Sequence, residues 1–60
     1  MSTVYNPEAE VIAQIERLEL DARDIRRRID HAHTQADRRV LNKQLEEIKN
    51  DIVRLQARLR

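Results

Sequence analysis

Three groups of residues in this 60-residue chain have types and spacings that invite a chemical reading. His31 and His33, with Asp30 and Asp37 nearby, supply imidazole and carboxylate, the usual hard and borderline metal ligands. Two histidines two positions apart do not share a helical face, however, and the chain holds no further histidine and no cysteine to complete a ligand set. Glu46 and Glu47 are adjacent carboxylates. On a helix such neighbours point apart, and no pocket is foreseen that would raise the pKa of either for acid–base work. A phosphate-cradling loop is excluded because the chain has no glycine, and a thiol nucleophile because it has no cysteine. The reading is therefore of no catalytic residue, no metal ligand and no cofactor, and of a protein that is not an enzyme.

The third group is basic. Residues 26 to 43 carry Arg26, Arg27, Arg28, Arg38, Arg39 and Lys43 against Asp30 and Asp37, a local charge of +4, whereas the net charge of the whole chain is +1. Residues 1 to 25 carry six acids against Arg17 and Arg23, a charge of −4, and residues 44 to 60 add +1. With so small a net charge there is no general attraction to nucleic acid or to anionic membranes, and any such argument has to be local. Arg26 to Arg28 suit the C-terminal end of a helix, where the dipole favours cations. Arg38 and Arg39 fall near the start of the next helix, where it does not. Two explanations stand side by side: Arg27, Arg28, Arg38 and Arg39 form an anion-binding tip, or the cations simply pair with Asp30 and Asp37.

The elements that would position these residues follow from periodicity. Charged residues make up 38% of the chain and it has one aromatic, a composition typical of long helices rather than of globular enzymes. Val11, Ile15, Leu18, Ala22, Ile25, Ile29 and Ala32 recur at alternating steps of four and three, and Leu41, Leu45, Ile48, Ile52, Leu55 and Leu59 repeat that rhythm. Continuing the heptads from an a position at Ile29 would place a d position near residue 39, while the second run opens its d series at Leu41, so one straight helix could not bury both stripes against one seam. Asn6 before Pro7, with Glu8 and Glu10 behind, marks a helix start. Thr34 and Asp37 have the form of a capping box and mark another.

The sequence thus predicts a flexible tail over residues 1–6, a helix over 7–30, a turn over 31–34 and a second helix over 35–59. Folding the chain at the turn pairs residues whose numbers add to 70: Val11 with Leu59, Ile15 with Leu55, Leu18 with Ile52, Ala22 with Ile48, Ile25 with Leu45 and Ile29 with Leu41. All six layers are apolar. The expected fold is all-α, a two-helix antiparallel coiled-coil hairpin, against the alternative of one long helix with a phase break. The absence of a glycine at the turn is the feature that speaks for the alternative.

A two-helix hairpin of this size buries little apolar surface and is marginal alone. Ile12, Leu20, Val40 and Val53 lie outside the seam and form a possible partner surface, which points to self-association, most simply a two-fold dimer making a four-helix bundle. No apolar stretch is long enough to span a bilayer, and the acidic residues Glu8, Glu10, Glu16 and Glu19 interrupt any run that could serve as a signal peptide. A cytoplasmic protein is expected, without a small-molecule substrate. A peripheral membrane helix is disfavoured by the lack of a Trp- and Lys-rich pattern.

With its paired heptads over residues 7 to 60 the chain resembles short bacterial coiled-coil proteins of uncharacterised function, and its length is similar to that of the small helical-hairpin dimers that bind RNA loops in plasmid copy control. The second resemblance implies a hairpin dimer as the fold and RNA as the alternative partner. The functional expectation is a protein–protein interaction and self-association module, with a nucleic-acid-binding hairpin dimer that uses the basic turn as the alternative.

Overall fold

The computed structural model of the chain describes residues 6–59, which form two helices, α1 over Pro7–Asp30 and α2 over Gln35–Ala57. Residues 1–5 of the tail expected over 1–6, and the last residue, Arg60, lie outside the described part, while Asn6 belongs to the start of α1. The helices pack against each other as a hairpin, and no strand occurs among the described residues. The molecule measures 54 × 22 × 11 Å, so it is a single layer of helices, two wide and one thick.

Each helix starts where its side-chain chemistry requires. The Asn6 side-chain oxygen accepts from the backbone N–H groups of Glu8 at 3.1 Å and Ala9 at 3.3 Å, which satisfies two of the donors that a first turn leaves unpaired. Pro7 follows at the one position where its missing N–H costs nothing. At the second start, Thr34 is extended (φ −128°, ψ 158°) and its Oγ1 accepts from the Asp37 N–H at 3.1 Å. Half of the capping box forms: no return bond from the Asp37 carboxylate to the Thr34 N–H occurs among the described residues, in keeping with an arm one methylene shorter than glutamate's.

The reversal manages without glycine. His31 caps α1 at φ −104°, ψ 7°, in the bridge region open to any L-residue, and no described residue has a positive φ. The free carbonyls are taken up by tightening the last turn: the His31 N–H donates to Arg27 O and Arg28 O at 3.3 and 3.2 Å, and the Ala32 N–H to Ile29 O at 3.2 Å. A left-handed cap is one way to end a helix, and this shorter-range bonding is another. Because the Thr34 hydroxyl is the side-chain bond that starts α2, Thr34→Ala is expected to cost about 1 kcal/mol. A thermal melt at fixed concentration measures it, and a melt identical to that of the unsubstituted chain would show the cap to be idle.

The seam is thin. Ile15 and Ala22, 8% and 3% exposed, are its buried members. Val11, Leu18, Ile25, Ile29, Leu41, Leu45, Ile48, Ile52 and Leu55 are half-buried, as two helices without a third layer must leave them. Leu59 departs from the expected pattern. α2 ends at Ala57, the chain beyond it turns through bonds from Arg58 N to Leu55 O and from Leu59 N to Gln56 O, both 3.0 Å, and Leu59 is 37% exposed. The other five positions of its stripe are half-buried, so the stripe opens at this last one.

Candidate protein and anion interfaces

The residues singled out in the sequence fall into three places. The first is the turn end of the hairpin. Arg28 pairs with Asp24 one turn earlier on its own helix, at 3.2 Å with both side chains more than half exposed. Arg27, Arg38 and Arg39 make no ion pair among the described residues. The expected pairing of Arg38 and Arg39 with Asp30 and Asp37 does not occur. Asp37 lies at the third position of α2, where the helix dipole favours an anion and its own N–H is engaged by Thr34. By the helical repeat of about 100° per residue the arginines are distributed around the tip and not gathered on one side.

The second place is the set of apolar residues outside the seam. Ile12, Leu20, Val40 and Val53 are 46%, 61%, 58% and 63% exposed. They do not make one patch. Counting 100° per residue from the seam stripe, Leu20 lies opposite it, Ile12 and Val53 share one flank of the hairpin, and Val40 lies on the other. The sequence already sets Leu20 opposite the stripe and the other three beside it, and the partner helix decides which of those three share a flank.

The third place was not foreseen. Shallow grooves run along one flank of the seam, where half-buried core residues form the floor and charged residues form the walls. Toward the open end, Leu18 and Leu55 are bordered by Gln14, Asp51, Arg54 and Arg58, with Arg17 alongside. Toward the turn, Ile25 and Ile48 are bordered by Asp21, Asp24, Arg28 and Gln44. The helices bring Asp51 to Arg58 beside Gln14 to Leu18, and Gln44 and Ile48 beside Asp21 to Arg28, which fixes the antiparallel register to within about a turn.

That register also redraws the charge. Residues 44–51, with Glu46, Glu47 and Asp51 against Lys49, lie beside 19–25, with Glu19, Asp21 and Asp24 against Arg23, so the middle of the hairpin carries −4. The acids among residues 1 to 25 are therefore not gathered at the open end. Over 7–18 and 52–59, Glu8, Glu10 and Glu16 are balanced by Arg17, Arg54 and Arg58. The hairpin is basic at its tip, acidic at its waist and neutral at its open end.

Among the described residues no group of three His, Asp or Glu side chains is placed to hold a metal ion, and no helix is long and apolar enough to cross a membrane. Comparisons of the chain with protein-family models, with curated proteins and with solved structures return no match.

Proposed function

We propose that this chain is a non-enzymatic, cytoplasmic interaction module that acts by self-association, two hairpins forming a four-helix bundle. The observation that carries the reading is the thin seam. Two of its side chains are buried, nine more of the stripe residues named above are half-buried, and a further layer is what such a surface lacks. A second hairpin on either broad face would supply it. Sedimentation between about 1 μM and several hundred micromolar tests this: the mass should rise to that of two chains, and the melting temperature should rise with concentration, as it must when folding and association are linked. A monomer whose melt is independent of concentration would remove the proposal.

A second reading is favoured by one specific observation. Arg27, Arg38 and Arg39 make no ion pair among the described residues, and two of them stand at a helix start where the dipole disfavours them. Phosphate groups of a nucleic acid, RNA first, would satisfy them.

A further inference from the structure

We infer that the second copy binds on the grooved flank, turned end for end, so that the basic groove of each hairpin lies on the acidic groove of the other. The inference rests on the self-association reading and adds to it the face, the orientation and the pairs that fix them.

The two grooves open on the same flank and differ in charge. The one toward the open end has Arg17, Arg54 and Arg58 against Asp51, and the one toward the turn has Asp21 and Asp24 against Arg28, with Glu47 one turn before Asp51 on the same side of α2. Part of this charge is settled locally, by Arg54 with Asp51 at 3.0 Å and Arg28 with Asp24 at 3.2 Å. Among the described residues Arg17, Asp21 and Glu47 have no ion-pair partner.

The spacing matches what a two-fold axis needs. Along α1 the basic groove centres near residue 16 and the acidic groove near residue 24, so their midpoint lies near residue 20, within about 2 Å of the middle of Pro7–Asp30 at 1.5 Å per residue. A two-fold axis across that point therefore superposes opposite charges and overlaps the two hairpins over their full length at once. α1 then runs antiparallel to α1 of the second copy, with Arg17 opposite its Asp21 and Asp24, and α2 runs antiparallel to its counterpart, with Arg54 opposite its Glu47. Each pair occurs twice by symmetry. The apolar floors, Leu18 and Leu55 in one groove and Ile25 and Ile48 in the other, meet beneath these pairs and lose their remaining exposure. A second copy laid on the same flank in the same direction would set Arg17 and Arg54 level with themselves, and would bring the +4 tips together and the −4 waists together. The opposite flank offers Ile12 and Val53 with Glu16, Glu19, Arg23 and Arg26, and the substitutions below, none of which lies on it, tell the two faces apart.

The test uses two variants of the full chain, Arg17→Glu/Arg54→Glu and Asp21→Arg/Glu47→Arg, all at exposed positions. Each alone should self-associate at least about tenfold more weakly than the unsubstituted chain, because symmetry turns four attractive contacts into four repulsive ones. Mixed in equal amounts, they should form a heterodimer about as tight as the original homodimer. Spin labels on His33→Cys should lie on the order of 40 Å apart in the unsubstituted background, since the turns sit at opposite ends of helices about 24 residues long. If the unsubstituted chain is monomeric, the self-association reading itself fails. If it dimerises but the mixture binds no tighter than either variant alone, or the turn labels lie within about 20 Å, this face or orientation is overturned and self-association stands.

Discussion

Ile15→Ala should remove about 2 to 5 kcal/mol of stability, a large part of what a hairpin of this size possesses. Ile15 is 8% exposed and is the one buried large apolar side chain among the described residues, so its truncation opens the best-covered layer of the seam. For a chain this short, even 2 kcal/mol lowers the melting temperature by roughly 8 to 16 °C. Leu55 is the residue expected opposite Ile15, and combining the two alanine substitutions should cost less than the sum, because the second acts on a layer already opened by the first. Leu20→Ala supplies the contrast. At 61% exposed and opposite the seam, it should shift the melt by no more than about 0.5 kcal/mol, and it lies off the grooved flank as well. Thermal melts at one fixed concentration decide the matter, and equal losses at Ile15 and Leu20 would show that the inner and outer faces have been misassigned.

Binding of a polyanion at the tip should depend steeply on salt. If Arg27, Arg38 and Arg39 contact phosphates, structured RNA should bind at about 50 mM salt, with a slope corresponding to three or four phosphates, each releasing roughly 0.7 to 0.9 counterions. In an end-for-end dimer the two tips point away from each other, so each engages its own short stretch of backbone. Residues 26–43 contain no aromatic side chain on which a base could stack, and little sequence preference is expected. Arg38→Glu/Arg39→Glu should abolish the binding without loss of helix, since an acidic residue at the start of α2 agrees with its dipole better than the native cation does. Absence of binding by the unsubstituted protein to structured RNA, single strands and duplex at tens of micromolar would remove the nucleic-acid reading.

The helical hairpin was legible because its determinants are local or periodic. Asn6 with Pro7 and Thr34 with Asp37 announce helix starts by side-chain reach alone, and the stripes from Val11 to Ile29 and from Leu41 to Leu55 need only the 3.6-residue repeat. The interfaces were less legible, because they exist only after the chain has reversed. That Gln44 and Ile48 lie beside Asp21 and Ile25 is a property of the register, and the acidic waist and the paired grooves follow from it. The same holds for Ile12, Val40 and Val53, which a linear count sets beside the stripe and the antiparallel partner divides between two flanks. Leu59 departs for a different reason: a heptad pattern continues past Ala57, where the helix stops, and does not record that end.

The way α1 ends has a bearing on how the tip can vary. With His31 in an allowed backbone conformation and no position in the reversal that only glycine fits, the exposed His31 and His33 are under little steric constraint, unlike the half-buried Ala32 between them. Glycine placed there would add freedom to the unfolded chain and relieve no strain in the folded one. The connection thus tolerates exchange of its histidines so long as Thr34 remains to start α2. A chain built in this way can alter the surface it presents at that end, in charge or in bulk, while the pairing of the helices is left as it was.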